Sequence, residues 1–188
     1  MRRVAKPFAP AAPTRTNLST FQIRCETAAD VSAIHAVNTA AFATRLEADL
    51  VDTLRHTAGP LISLVADDGG KIVGHILFSA VTLSGERNAK IMGLAPMSVL
   101  PSQQRRGIGS ALVREGLTRC KNLGYGAVVV VGHRNYYPRF GFTPAATFNL
   151  KSEYDIPDDV FMALELTPNY LQGKSGAIHY PSAFRGSA

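Results

Sequence analysis

The stretch VLPSQQRRGIGSALVREG, residues 99–116, passes from an apolar, strand-like segment through a basic turn into a helix-like segment. The apolar residues that follow the glycines recur at the spacing of a helix. Free amide N–H groups at the start of a helix bind anions, and the helix dipole favours the same negative charge. Gly107 and Gly109 allow a phosphate to approach the backbone closely, and Arg105 and Arg106 add positive charge. These residues predict an anion site, and an ordinary turn with solvated arginines is the alternative that they leave open.

Hydrophobic patterns around this stretch predict a mixed sheet with helices. Two apolar segments, residues 61–66 and 71–83, flank a turn of Asp and Gly residues and predict an antiparallel hairpin. Strands over residues 90–100 and 127–131 are joined by a long helical connection, which predicts a parallel, right-handed crossover. The other predicted elements are a strand at 21–25, helices near 31–41 and 45–56, a polar loop at 84–89, a turn or short helix at 135–140, a strand near 160–166 and an extended piece at 177–180.

The composition predicts one folded domain with a charged tail. Of the 188 residues 46% are apolar, and no apolar run reaches the roughly 20 residues of a membrane span. Residues 1–20 carry four basic residues and no acid, so we expect a flexible basic tail, with an organellar transit peptide as the alternative. Removing these four from the 20 Lys and Arg leaves 16 against 14 Asp and Glu, a balance that does not indicate nucleic-acid binding.

The cysteines and histidines show no metal-binding pattern. Cys25 and Cys120 lie far apart in the sequence, and the five histidines lack the HxxxH spacing of a zinc site. We therefore expect no bound metal, reduced cysteines and a cytoplasmic protein.

Two motifs resemble those of a known enzyme family. The segment QRRGIG, residues 104–109, resembles the acyl-coenzyme A signature Q/R-x-x-G-x-G/A of the GNAT superfamily of N-acetyltransferases. MSVLP at 97–101 is similar to the fourth strand of that family, and YYPRFGF at 136–142 is similar to the segment after its fifth strand. The similarity extends over about residues 21–166, and the sequence also resembles a bacterial branch of predicted acetyltransferases.

The resemblance implies a three-layer α+β fold. Its sheet would be mixed and largely antiparallel, with helices on both faces and a central parallel β-α-β crossover whose strands splay apart to hold acyl-coenzyme A. Splayed strands expose backbone N–H and C=O groups that a ligand must pair. Pro96, inside the fourth strand, is expected to lie at a bulge. Residues 21–167 would form the acetyltransferase domain, and residues 168–188 a C-terminal extension packed on it.

The resemblance also implies which residues hold acetyl-CoA, the expected co-substrate. The backbone around Met97, Ser98 and Val99 would pair with the pantetheine arm, and the Val99 N–H would contact the thioester carbonyl. The pyrophosphate would be held by the amides of the basic turn, which comprises Gln104, Arg105, Arg106, Gly107, Ile108, Gly109 and Ser110.

The chemistry implied by the resemblance is direct attack of a neutral amine on the thioester in a ternary complex, without a covalent intermediate. Tyr137 matches the residue that protonates the departing thiolate; Tyr136 is the alternative acid, and packing is the structural alternative for both. For the base, Glu47, His75 and His133 are candidates on the acceptor side. Each of the three also fits a structural role, and water is a further alternative as the proton acceptor.

Together these features predict an acetyl-CoA-dependent N-acetyltransferase whose acceptor is a primary amine of a small molecule or a protein. A non-catalytic acyl-CoA-binding sensor or interaction module is the alternative from another class. A nucleic-acid binder would rest on the tail charge alone, and we expect neither a nucleic acid nor a membrane as partner. The sequence carries no signal for the identity of the acceptor, for the acyl-chain preference or for the choice between monomer and homodimer.

Overall fold

A nine-stranded mixed sheet runs through residues 21–186, the part of the chain that this computed structural model describes. The strands are β1 (Gln22–Cys25), β2 (Leu61–Asp68), β3 (Lys71–Leu83), β4 (Glu86–Val99), β5 (Ala127–Val131), β6 (Thr143–Pro144), β7 (Leu150–Ser152), β8 (Phe161–Glu165) and β9 (Gly176–His179). Their order across the sheet is β1-β2-β3-β4-β5-β8-β6, and β9 pairs with β3 and β7. The tail predicted for residues 1–20 lies outside the described residues.

Three α-helices accompany the sheet in residues 21–186. They are α1 (Val31–Ala41), α2 (Leu46–Thr57) and α3 (Ile108–Asn122). The turn before α1 is fixed by a capping box, in which the Thr27 N–H donates to Asp30 Oδ2 at 2.7 Å. None of these described helices is long and apolar enough to cross a lipid bilayer. Short 3₁₀ turns occur at Ala28–Asp30, Pro101–Gln103, Tyr137–Phe140, Ala145–Phe148 and Ser182–Gly186.

Helices cover both faces of the sheet. On β3, Leu77 packs with α1 and α2, whereas its neighbour Phe78 packs with α3. The same alternation occurs on β2, where Val65 faces α1 and α2 and Leu64 faces α3. Because successive side chains of a strand point to opposite faces, α3 lies across the sheet from α1 and α2. The predicted three-layer α+β fold is confirmed.

The predicted hairpin and the predicted parallel pair are both present. Strands β2 and β3 are antiparallel neighbours, and β4 and β5 are parallel neighbours joined through α3. The predicted polar loop over residues 84–89 is wrong, because β4 already begins at Glu86, which pairs with Leu83. A tight turn makes this early start feasible: Gly85 has a φ of 80°, a conformation that glycine adopts without steric cost.

The C-terminal segment contributes to the same sheet. Strand β9 pairs with the end of β3, where Thr82 lies opposite His179 and Leu83 opposite Ile178. It also runs parallel to β7. The side chains of Tyr180 and Leu171 join the apolar cluster formed by β5 and β8. The described part of the predicted extension thus covers the face that also carries α1 and α2.

Strands β4 and β5 separate halfway along β4. They are paired only from Ile91 opposite Ala127 to Leu94 opposite Val130, although β4 continues to Val99. Leu94 lies opposite Phe78 of β3, and Met97 lies opposite Ile76, so β4 has one more residue than β3 over this interval. The extra residue forms a bulge around Pro96. The predicted bulge is confirmed, and the splayed strands leave a groove between them.

A buried polar network crosses the layer between β2, β3 and α1. The ring of His75 on β3 is fully buried, and its Nδ1 lies 3.1 Å from Asn38 Nδ2. Since an amide nitrogen only donates, Nδ1 is the acceptor and the proton is on Nε2, which lies 2.9 Å from Ser63 Oγ. Ser63 donates in turn to Glu26, whose Oε1 accepts from Arg55 Nε at 2.9 Å. His75 is therefore neutral and fully hydrogen-bonded.

Burial determines the protonation of His75. Removal from water lowers its pKa from 6.5 to about 3, although Glu26 Oε2 at 3.9 Å acts in the opposite direction. The folded protein binds a proton at His75 less tightly than the unfolded chain does. The contribution of neutral His75 to the free energy of unfolding is therefore fully present above pH 6.5 and is lost as the pH falls towards 3.

The packing of α3 on the sheet gives a first prediction. A Cβ built on Gly116 of α3 would lie 2.2 Å from the ring of Phe78, which is fully buried and has no room to move. Alanine is favoured over glycine in a helix by about 1 kcal/mol, but the clash outweighs this gain. We expect Gly116→Ala to lower the free energy of unfolding by about 1–3 kcal/mol in urea titrations. Thr118→Ala, on the exposed side of the same helix, is the control; equal stability of both variants would contradict the packing.

The His75 network gives a second prediction. We expect the stability advantage of the wild type over His75→Gln to shrink by roughly 1 kcal/mol per pH unit as the pH falls from 6.5 to 4.5, because glutamine has no proton to gain. Urea unfolding at a series of pH values measures this difference. Thr118→Ala, the surface control used for Gly116, removes no titratable group and should stay parallel to the wild type. Parallel curves for His75→Gln as well would show that His75 is not held neutral by burial.

Candidate active site

The groove between the separated strands has a volume of about 1360 Å³. Its walls are the second half of β4, the turn before α3, the loop after β5 and the segment between α1 and α2. A smaller cavity of about 470 Å³, near Cys25 and Leu123, contains none of the predicted site residues. Predicted residues that line the groove are Glu47, Met97, Ser98, Val99, Gln104, Arg105, Gly107, Ile108, Gly109, Ser110, His133 and Tyr137.

The turn before α3 presents free amides to the groove. The first helical hydrogen bond runs from the Ala111 N–H to the Gly107 oxygen at 3.0 Å, so the N–H groups of residues 108–110 have no partner within the helix. Gly107 has a φ of 84° and Arg105 a φ of 60°, so the turn contains two left-handed residues in three positions. Left-handed residues of this kind are typical of the concavities in which successive backbone amides bind an anion.

The two arginines of the turn differ in position. Arg105 lines the groove, whereas Arg106 is absent from its lining and donates through Nη1 to Gln103 Oε1. Gln103 itself lines the groove, so Arg106 is one residue removed from the predicted anion site. Ile108 contributes only its backbone there, because its side chain is buried against the sheet.

The end of β4 turns unpaired backbone groups into the groove. Leu100 donates its N–H to the Val73 oxygen at 3.0 Å, so Leu100 faces β3. Because the backbone groups of an antiparallel strand alternate in direction, the N–H groups of Val99 and Met97 face away from β3. The Val99 oxygen accepts from Gln104 Nε2 at 3.2 Å, which leaves the Val99 N–H as the donor that points into the groove.

Ser98 differs from its neighbours in this alternation. Its backbone lies opposite His75 and faces β3, so its contribution to the groove is its side chain. The Ser98 Oγ is buried and forms no hydrogen bond with any residue in the described range. A buried hydroxyl without a partner is costly, so it is available to a polar group that enters the groove.

Tyr137 lies at the start of the 3₁₀ turn after β5, on the opposite wall. Its side chain is nearly buried and packs edge-on against Phe142, with ring centroids 5.7 Å apart. Gly132 makes room for this ring, since a Cβ there would lie 2.2 Å from it. Burial raises the pKa of the Tyr137 phenol well above its ordinary value near 10, so the hydroxyl is protonated at neutral pH and able to donate.

The candidate bases are separated by the structure. Glu47, at the start of α2, and His133, in the loop after β5, line the groove from two sides. His75 does not line it and is enclosed in the buried network, so the prediction that it lies on the acceptor side is wrong. The reason is the strand alternation: the side chain of His75 points into the layer beneath α1.

Several groove residues were missed in the sequence. Phe42 and Val160 come from segments far apart in the chain, and Arg134 forms an ion pair at 2.6 Å with Asp159 beside them. No periodicity or motif marks these positions, because each belongs to a loop or to the end of an element. The YYPRFGF motif was the one available signal: Arg139 lies within it, and Asn135 directly precedes it.

Comparisons with known proteins agree with this geometry. The profile of the family described as Acetyltransferase (GNAT) family matches residues 28–142. YjhQ of Escherichia coli K12, described as an uncharacterized N-acetyltransferase, is 42% identical over 134 residues, which are 69% of this chain and 74% of the relative. YhbS of the same organism, with the same description, is 34% identical over 163 residues, which are 86% of this chain and 97% of the relative.

Solved structures give the same result. The crystal structure of YhbS from Escherichia coli in complex with CoA superposes with a TM-score of 0.85 at 31% identity, covering 92% of this chain and 96% of that one. A GNAT family acetyltransferase from Brucella melitensis in complex with acetyl-CoA superposes with a TM-score of 0.71 at 33% identity, covering 87% and 97%. The chain belongs to the GNAT family of acetyltransferases.

Proposed function

We propose that the protein is an acetyl-CoA-dependent N-acetyltransferase that transfers the acetyl group to a primary amine by direct attack in a ternary complex. One observation carries the proposal. The unpaired Val99 N–H, the free amides at the start of α3 and the protonated Tyr137 all border one groove. These groups supply what an acyl-CoA substrate needs: donors for its carbonyl and phosphates, and an acid for its leaving thiolate.

The residues present fit the coenzyme along its length. The amides of residues 108–110, with Arg105 beside them, would hold the pyrophosphate. The backbone of Met97 and Val99 would pair with the pantetheine arm, which offers amide groups of its own. The Val99 N–H would donate to the thioester oxygen, whose negative charge grows during attack. The solved relatives of this family that contain CoA and acetyl-CoA support acetyl-CoA as the co-substrate.

Bond changes during the reaction follow from these positions. The amine nitrogen attacks the carbonyl carbon, a C–N bond forms and the C–S bond breaks. Tyr137 donates its proton to the departing sulfur and recovers one from the amine, directly or through water. In water the pKa of a thiol is about 8.5 and that of a phenol about 10. The burial that raises the pKa of Tyr137 also disfavours a free thiolate in the same groove, so transfer between the two at close approach stays feasible.

For the acceptor side we propose Glu47 and His133, the two ionisable candidates that line the groove. Side chains there would orient the acceptor and take the proton that its ammonium form loses before attack, so that the nitrogen reacts as a neutral amine. The acceptor is a primary amine of a small molecule or a protein. A cytoplasmic location and a monomeric or homodimeric state remain predictions from the sequence.

Replacing Tyr137 with phenylalanine separates catalysis from binding. The variant keeps the ring that packs against Phe142 and loses only the acid, so we expect kcat to fall by about 10²–10⁴-fold. The Kd for CoA, measured by calorimetry, should stay within about threefold. A screen of thiol release from acetyl-CoA with a panel of primary amines supplies the assay and identifies the acceptor class.

The matched control is Tyr125→Phe, which removes a hydroxyl that does not line the groove. Its turnover should equal that of the wild type. Full activity of Tyr137→Phe would exclude Tyr137 as the acid. Binding of CoA without thiol release for any amine would instead favour the alternative of a non-catalytic acyl-CoA-binding module.

A further inference from the structure

The side chain of Tyr136 spans the groove from one wall to the other. Its backbone belongs to the loop after β5, where its N–H donates to the His133 oxygen at 2.9 Å. Its hydroxyl oxygen nevertheless reaches the opposite wall and lies 2.9 Å from the point where a Cβ on Gly109 would be. The sulfur of Met97 on β4 lies 3.6 Å from the same point. Tyr136 therefore places a phenolic hydroxyl directly at the first turn of α3.

Three neighbours fix the ring in this position. Tyr137 packs edge-on against it at 5.2 Å between centroids, and Phe140 does so at 5.4 Å. The guanidinium of Arg139 lies over the ring at 4.6 Å from its centroid. Phe140 is itself covered by Arg114 of α3. A ring held by contacts on several sides keeps its hydroxyl where it is, so little conformational freedom is lost when a ligand binds.

The hydroxyl at this position has no partner of its own. It forms no hydrogen bond with any residue from 21 to 186, and it lies beside Gly109, whose N–H is one of the three free amides. Those amides and Arg105 define an anion site, and a phosphate offers more acceptor positions than they can fill. A phenol can rotate its O–H towards such an oxygen.

We propose that Tyr136 is a positioning residue for the coenzyme, whose hydroxyl donates a hydrogen bond to the pyrophosphate held at the start of α3. The inference rests on the proposed use of acetyl-CoA as co-substrate. It gives the two adjacent tyrosines different roles, since Tyr136 binds at the phosphate end of the groove and Tyr137 acts at the thioester. It also gives a reason for glycine at position 109, because a side chain there would displace the hydroxyl.

Binding measurements on Tyr136→Phe test the proposal, because this substitution keeps the ring contacts and removes only the donor. A hydrogen bond to a charged oxygen is lost, so we expect the Kd for CoA to rise by about 10- to 100-fold in calorimetric titrations. The Kd for pantetheine, which lacks the pyrophosphate, should be the same in variant and wild type within about twofold. In the amine assay, the KM for acetyl-CoA should rise while kcat changes by less than about threefold.

Each outcome decides the matter. An unchanged Kd for CoA in Tyr136→Phe would overturn the proposal, and so would an equal loss of affinity for CoA and pantetheine, which would place the hydroxyl on the pantetheine arm. A fall in kcat with unchanged binding would assign Tyr136 to the chemical step instead. Tyr125→Phe is again the control. Because the readout is binding, a failure of the proposed acetyl transfer would appear separately, as CoA binding without thiol release.

Discussion

The separation of β4 from β5 after Leu94 and Val130 is the constraint on which the site depends. In the middle of a sheet every strand normally satisfies its neighbours, and an unpaired backbone group that is shielded from water costs as much as a lost hydrogen bond. Here half of β4 has a neighbour on one side only. The bulge around Pro96 contributes to this, since proline has no N–H to offer a neighbouring strand. The fold thus leaves backbone N–H groups unpaired, and these can donate to a ligand with matching acceptors.

The groove is made polar by two different means. At the start of α3, beside the left-handed residues Arg105 and Gly107, lie amides that no helical carbonyl uses. On the walls, the polarity comes from single donors, the Val99 N–H and the Tyr137 hydroxyl. A molecule that carries both phosphates and a polarised carbonyl offers acceptors for both kinds of donor.

Much of this arrangement could be predicted because it depends on local sequence. The strand, turn and helix of residues 90–122 have periodic apolar residues and glycines, and the structure agrees with them. His75 was misplaced because it lies in a long strand that is buried on both faces, where alternation alone does not say what each face contacts. The spacing of a 3₁₀ turn likewise does not reveal that Tyr136 and Tyr137 point in different directions. That difference depends on two glycines that leave room for the two side chains. Gly109 of α3 accommodates the hydroxyl of Tyr136, and Gly132 after β5 accommodates the ring of Tyr137.

The same distinction explains why the coenzyme can be assigned and the acceptor cannot. The coenzyme side is made of backbone amides, and a backbone conformation requires particular residues, such as glycine at 107, which therefore appear as a motif. The acceptor side is made of side chains: Phe42 and Glu47 come from the α1–α2 segment, and His133 and Val160 from the ends of β5 and β8. These positions need no special backbone, so almost any residue is sterically permitted at each of them. In the proposed reaction, acceptor specificity would therefore depend on the chemistry of a few loop side chains and not on a backbone motif.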